Sequence, residues 1–369
     1  MEAELPIIQG GMGVGISLSG LASAVANCGG IGVISATGIG SQHPELGDRY
    51  RETNSEALRL EIRKARSLTK GLLGVNILTA LTDYGELAQT AFKEGIDFIF
   101  LGAGLPLHKP KAIPDETWLK VLTKVVPIVS SGRAATIVCR YWEKTYHMVP
   151  DGFVLEGPMA GGHLGFTKAQ LDLPEYRLEN LLPEVLAAVK PFSESFGKRI
   201  SVVAGGGIFT GEDIHKFLAL GADGVQMASR FVATHECDAS DAFKQSYLKS
   251  RKEDLVIIDS PVGLPGRAIR NPFLDKVSSG LKHPVKCPWK CLLTCDFSSA
   301  PYCIAEALLK AKKGELESGF VFAGANAYRI DKIVSVRQLI DSLLEEYARC
   351  IEPAAMTVPP PVRPLMMPA

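Results

Sequence analysis

The feature that most limits what this chain can fold into is a regular alternation, running from residue 5 to residue 232, of short apolar runs with amphipathic segments. The runs are Ile7-Ile8-Gln9-Gly10, Gly32-Val33-Ile34-Ser35, Leu73-Gly74-Val75-Asn76-Ile77, Phe98-Ile99-Phe100-Leu101, Pro127-Ile128-Val129-Ser130, Phe153-Val154-Leu155-Glu156, Ser201-Val202-Val203-Ala204 and Gly224-Val225-Gln226-Met227. The segments between them are Leu18 to Asn27, Ser55 to Ser67, Leu87 to Lys93, Glu116 to Lys124, Ala134 to Lys144, Leu178 to Val189 and Glu212 to Leu220. Strands apolar on both faces and separated by helices pair in parallel, because each crossover helix covers one face of the sheet. Eight such units predict an α/β chain folded as a (β/α)8 TIM barrel. The competing open, doubly wound sheet would carry G-x-G-x-x-G after its first strand, and Gly11-Met12-Gly13-Val14-Gly15-Ile16 does not fit that spacing.

After Phe231 the rhythm changes. A helical stretch, Ala239 to Arg251, precedes Leu255-Val256-Ile257-Ile258, the Gly/Pro-rich turn Pro261 to Arg267, and two further helical patterns, Ala300 to Lys313 and Val336 to Cys350. The expected organisation is a barrel over 1–232, a cap over 233–330 inserted after strand 8, a returning barrel helix over 331–352 and an extended, Pro-rich tail over 353–369. Lys plus Arg and Asp plus Glu are each 40, so the net charge is zero. With no long basic run, the sequence predicts no nucleic-acid partner and no membrane surface, and leaves a small-molecule substrate. No secretory signal or long apolar stretch is present, so a cytoplasmic protein is expected, with a homodimer as the expected assembly.

In a barrel the functional residues lie at the C-terminal ends of the strands. There the sequence places Gly10-Gly11-Met12-Gly13, Asn76, Ser130-Ser131-Gly132, Gly161-Gly162-His163, Gly205-Gly206-Gly207 and Ala228-Ser229-Arg230. Ala204 to Ile208 followed by Thr210-Gly211-Glu212-Asp213 reads as strand, glycine loop and helix start. Free backbone N–H groups beside a helix N-terminus suit a phosphate, and Gln226-Met227-Ala228-Ser229 supplies a second loop. The alternative is a tight turn that needs glycine only for its backbone conformation.

Pro6-Ile7-Ile8-Gln9-Gly10-Gly11-Met12, Asn76, Glu156-Gly157-x-x-Ala160-Gly161-Gly162-His163-x-Gly165, Ala204 to Ile208, Gln226-Met227-x-Ser229-Arg230-Phe231 and Gly266-Arg267-x-x-Arg270-Asn271-Pro272-Phe273 carry a resemblance. From about residue 5 to 275 the chain resembles the nitronate monooxygenase (2-nitropropane dioxygenase) family, which also contains flavin-dependent enoyl-acyl-carrier-protein reductases and NAD(P)H:quinone reductases. The resemblance implies a flavin-dependent oxidoreductase, a TIM barrel with noncovalent FMN. The phosphate would lie on Gly205, Gly206, Gly207, Ala228 and Ser229, and the isoalloxazine on Gly11, Met12, Asn76, Glu156 and Gly161. Gly13, Ser130, Gly162, Gln226 and Met227 complete the candidate cofactor set.

His163 would be the catalytic residue, standing over the flavin. In nitronate oxidation with O2, the expected activity, it would bind the nitro oxygens or act as a base. In the reductase alternative, with NAD(P)H as reductant, it would polarise the carbonyl of an enoyl thioester. Gln9-Gly10-Gly11-Met12 in the first loop looks closer to the enoyl-reductase branch. A flavin-binding barrel without turnover, acting as a sensor or partner subunit, is the rival from another class.

Four of the eight cysteines form Cys287-x3-Cys291-x3-Cys295-x7-Cys303. The spacing lacks the C-x2-C pairs of zinc ribbons and bacterial ferredoxins. An iron-sulfur cluster there is weighed against partly buried thiols, and the thiols are the favoured expectation.

Overall fold

The computed structural model describes residues 3–109, 113, 122–281, 287 and 289–351. Its first six strands are β1 (Ile7–Gln9), β2 (Gly32–Ser35), β3 (Leu73–Leu78), β4 (Phe98–Gly102), β5 (Lys124–Val129) and β6 (Gly152–Glu156). A two-residue strand β7 (Gly162–His163) stands apart, and β8 (Ser201–Gly205) and β9 (Gly224–Met227) complete the barrel. The eight barrel strands are all parallel, in the order β1-β9-β8-β6-β5-β4-β3-β2. Between β2 and β1 the ring closes by a parallel bridge at Ile8 and Ile31, where Gln9 N donates to Ile31 O (3.0 Å) and Ile31 N to Ile7 O (2.9 Å). The predicted TIM barrel is the observed fold.

Strand alternation divides the side chains into two populations. Ile8, Val33, Phe100, Val126, Val154 and Val203 form an apolar cluster inside the barrel. Their neighbours Ile7, Ile34, Val125, Val129, Phe153, Leu155, Val202 and Ala204 belong to the larger core shared with the helices. Two residues further along each strand, the inward row changes character. Above Ile8, Val33, Val154 and Val203 come Gly10, Ser35, Glu156 and Gly205. Asn76, Ser130 and Gln226 occupy the same parity on their own strands or just beyond them. The polar and glycine-rich row therefore lies at the C-terminal mouth, with an apolar floor beneath it.

The helices α1 (Ser19–Asn27), α2 (Tyr50–Leu68), α3 (Tyr84–Lys93), α4 (Gly132–Tyr146), α5 (Leu178–Phe196) and α6 (Gly211–Ala219) wrap the barrel. Six of the seven expected segments are thus helical. For the seventh, Glu116 to Lys124, residues 114–121 lie outside the described residues, and its end is corrected: Lys124 opens β5. Lys124 N donates to Asp97 O (2.8 Å) and Val125 N to the Asp151 carboxylate (2.8 Å), so tertiary partners recruit residues whose local pattern is helical.

A one-turn helix α7 (Ser229–Val232) leads to α8 (Asp241–Lys249) and the antiparallel hairpin β10 (Leu255–Asp259) and β11 (Pro265–Ile269). The remaining elements are α9 (Pro272–Ser278), α10 (Ile304–Lys313), β12 (Val321–Phe322) and α11 (Val336–Ile351). α11 packs between α6 and α1, the place of an eighth barrel helix. Ala268, Phe273, Leu274, Tyr302, Ile304, Ala307 and Phe320 form a separate apolar cluster, with Phe273 stacked on Phe320 at 6.1 Å between ring centroids. Fully burying one such aromatic side chain contributes on the order of 1.5–3 kcal/mol, so this region carries a core of its own. The tail expected from residue 353 lies outside the described residues. Among the described residues, no helix is long and apolar enough to cross a membrane.

Candidate active site

The mouth is built from loop backbones that approach one another closely. A Cβ placed on Gly206 would meet Gly157 O at 2.8 Å and Ala160 N at 3.2 Å, and Gly206 holds φ at +95°. The turns after β8 and β6 can therefore touch only because this residue is glycine. The backbone N–H groups of Gly206 and Gly207 make no hydrogen bond among the described residues, which leaves two donors for an anion. Gly324 N donates to the Ser229 hydroxyl (3.0 Å), and Asn326 Nδ2 donates to Gly207 O (2.6 Å).

The helix start that the sequence offered as part of a phosphate site already has partners within the protein. Thr210 and Asp213 cap α6 reciprocally, Phe209 N and Thr210 N donate to Asp213 Oδ2, and Gly211 N donates to Glu346 of α11 at 2.7 Å. A carboxylate from a distant helix occupies the place an anion would take, so an anion at this mouth depends on the glycine turn and not on the α6 dipole.

Gly11 lies against Asn76, where an added Cβ would sit 2.3 Å from the Asn76 Cβ, and Gly13 lies beside Ser35 and Thr37. Met12 is half-buried against the main core. Gln226 packs against Gly10. Met227 differs from its neighbours: its side chain is buried in the core on the helix side of the sheet, so only its backbone reaches the first loop, accepting from Gly10 N (2.9 Å). Ser130 donates to Gly165 O at 3.1 Å, while Ser131 beside it caps α4 through Ala134 N. The Ser35 hydroxyl is buried without a hydrogen-bond partner among the described residues.

Glu156 is the one ionisable side chain in the inward row. Its carboxylate has no hydrogen-bond or ion-pair partner among the described residues, and burial alone pushes its pKa up to about 7. Folded, it keeps its proton to about pH 7; unfolded, it releases it near the usual 4.5. Stability therefore falls as pH rises through that window. In the flavin-free chain, Glu156→Gln should melt above the parent by a margin that grows from near zero at about pH 4.5 to its full size above pH 7. The ceiling is about 3 kcal/mol, because each tenfold change in proton affinity between the folded and unfolded chain is worth ~1.4 kcal/mol. A margin constant with pH would show that Glu156 is ionised throughout. His163 titrates with the opposite sign at lower pH, which is why variant and parent are compared directly.

His163 sits where the sixth barrel loop meets the inserted region. β7 pairs antiparallel with β11, His163 opposite Gly266 and Gly162 opposite Arg267. Its Nε2 is 2.7 Å from the Ser260 hydroxyl, and its ring stands edge-on to Phe322 with centroids 5.0 Å apart. Arg267 reaches back to donate to Pro158 O (2.6 Å) and Ala160 O (2.8 Å), pinning the same loop. Burial lowers the imidazole pKa to about 4, so the ring is neutral at ordinary pH. A hydroxyl can donate or accept; where Ser260 donates to Nε2, the neutral ring carries its proton on Nδ1 and is a donor there.

Gly161 also lies against the inserted region. A Cβ on it would lie 2.5 Å from the Ala323 carbonyl carbon, so its missing side chain admits the segment after β12. Ser260, Phe322, Gly324 and Asn326 were not legible as site residues, because they lie about 100 to 160 positions from the loop they touch. Within that stretch, only the glycines and prolines around Ser260 marked a turn.

The residues present suit a flavin: free glycine N–H donors for a phosphate, a buried hydroxyl and a carboxyl without partners, and an apolar floor under a polar rim. The chain matches the nitronate monooxygenase family over residues 1–346. It is 24% identical, over 96% of each chain, to the (3aS,4S,5R,7aS)-5-hydroxy-7a-methyl-1-oxo-octahydro-1H-indene-4-carboxyl-CoA dehydrogenase of Mycobacterium tuberculosis. It is 28% identical to a protein of Staphylococcus aureus named as a probable nitronate monooxygenase, over 75% of this chain and 79% of that one. FabK from Thermotoga maritima superposes with a TM-score of 0.71 at 29% identity, covering 95% of this chain and 94% of FabK. The chain belongs to the nitronate monooxygenase family, and it is a flavin-dependent oxidoreductase.

Proposed function

We propose that the protein binds FMN at this mouth and acts on an acyl thioester, with NADH or NADPH as its reductant. The observation that carries the choice of substrate is the frame around His163. Ser260 and Phe322 both come from the inserted region, and the relatives similar to this chain through that region include FabK, an enoyl-acyl-carrier-protein reductase, and a CoA-thioester dehydrogenase. Residues 1–232 would form the FMN barrel, 233–330 its cap and 331–352 the returning helix. Gly205, Gly206, Gly207, Ala228 and Ser229 would hold the phosphate, with Gly11, Met12, Gly13, Asn76, Ser130, Glu156, Gly161, Gly162, Gln226 and the Met227 backbone around the ring. FMN, when bound, supplies hydride transfer.

The protein's own part follows from its side chains. A neutral His163 donor, fixed by Ser260, would polarise a thioester carbonyl as charge develops on its oxygen. Glu156, protonated up to about pH 7, would offer a hydrogen bond from below the ring without placing a negative charge there. The cap would exclude water from the reacting face.

A second reading, oxidation of alkyl nitronates with O2, is favoured by the same imidazole. A ring with a pKa near 4 is a poor base for a carbon acid but a good donor to a substrate that is already an anion. Anaerobic addition of NADH, NADPH or propionate 3-nitronate in parallel separates the two. Bleaching of the yellow flavin by a reduced nicotinamide, with colour restored by an enoyl-CoA, is the expected result. Bleaching by the nitronate alone would move the assignment to nitronate oxidation. Absence of FMN from the supernatant of heated protein would sink both.

A further inference from the structure

The flavin chemistry leaves one cluster of reactive side chains unused. The structure gathers the four cysteines of residues 287–303: Cys291 lies within electrostatic reach of Cys303, Cys287 and Cys295, Cys295 of Cys287 and Cys303, and Cys303 of Cys287. All four are free thiols, Cys291 buried and the others half-buried. Their loop is fastened to the turn after β3, the strand that carries Asn76. Thr82 N donates to Cys291 O (3.1 Å), Leu293 N to Ala80 O (2.9 Å) and the Thr82 hydroxyl to Lys290 O (2.9 Å). The thiols are thereby held at the rim of the barrel mouth, in a loop with little regular structure of its own.

Two sulfurs already meet backbone donors. Lys290 N donates to Cys287 Sγ at 3.3 Å, and the N–H groups of Ala305 and Glu306, at the start of α10, lower the Cys303 thiol against the larger effect of burial. Such N–H contacts stabilise ligated thiolates.

We propose that Cys287, Cys291, Cys295 and Cys303 ligate a [4Fe–4S] cluster. Geometry decides for a cluster over a single ion. One tetrahedral zinc, with Zn–S near 2.3 Å, needs its sulfurs roughly 3.8 Å apart. Among the described residues no three His, Cys, Asp or Glu side chains are placed to hold one metal ion. Four thiols, each within electrostatic reach of the other three, suit a cubane, in which each thiolate binds a different iron. On ligation each thiol releases its proton to solvent as its sulfur bonds iron, and no electron is exchanged.

The test is metal analysis of the full chain purified under nitrogen. About four iron and four acid-labile sulfide per chain, no stoichiometric zinc, and an iron-sulfur EPR signal after dithionite are expected. Cys295→Ser and Cys303→Ser should each lower iron and sulfide at least twofold, whereas Cys350→Ser, on the exposed face of α11, should leave them unchanged. Where a variant fails to fold, the parent's iron and sulfide content still decides. One zinc per chain without sulfide would overturn the proposal. So would a metal-free chain that takes up no cluster from ferrous iron and sulfide under thiol reductant. Heat-released FMN, measured on the same samples, reports the flavin site separately, so either centre can fail without the other.

Discussion

His163→Ala is expected to keep its flavin and lose turnover by about 10²- to 10⁴-fold, the usual range for removing a positioned proton donor or acceptor. The flavin should stay because no part of the phosphate turn touches the imidazole, whose contacts are with Ser260, Phe322 and the β11 backbone. Turnover should fall because burial keeps the ring neutral and the Ser260 hydroxyl orients it. The loss should appear mainly in kcat, since a donor to a developing charge acts in the transition state more than in the bound substrate. Steady-state kinetics beside heat-released FMN measures both quantities. An unchanged kcat/KM in a flavin-replete variant would remove His163 from the mechanism.

Gly206→Ala is expected to do the reverse and deplete the protein of flavin. The residue holds φ at +95°, and its new Cβ would meet only backbone atoms, Gly157 O, Gly157 N and Ala160 N, none of which can rotate away. A forced conformation of this kind costs about 1–3 kcal/mol, which at ~1.4 kcal/mol per factor of ten weakens flavin binding by about 5- to 150-fold. The turns after β6 and β8 would part, and the free N–H groups of Gly206 and Gly207 would lose their common direction. FMN per chain after gel filtration, and the apparent Kd on adding FMN back, check this. Full flavin occupancy in a well-folded variant would mean that the phosphate lies elsewhere.

The barrel and its mouth were legible because both follow from local periodicity. Strand parity fixes which residues point inward wherever a strand runs, and it put Asn76, Glu156 and Gln226 in one row once the strands were found. The strands themselves matched within a few residues at each end. The segment ending at Lys124 departs from expectation because its helical pattern is local, whereas Asp97 and Asp151, which hold the start of β5, stand just before the neighbouring strands β4 and β6. The α6 N-terminus shows the same limit. Thr210 and Asp213 announce a helix start, but only the packed position of α11 reveals that Glu346 fills the remaining donor.

What the sequence by itself determined is the eightfold alternation, the glycine-rich loops at the strand ends, the imidazole after the sixth strand and the crowding of four cysteines into one short loop. Each is a property of residues near one another in the chain, where backbone geometry allows few outcomes. What only the tertiary structure decided is which distant segment completes each loop. Ser260 and Phe322 hold His163, Ala323 occupies the space Gly161 leaves open, and the turn after β3 anchors Cys291. Those pairings depend on the inserted region folding back over the mouth, and no local pattern encodes how a segment about a hundred residues away will dock.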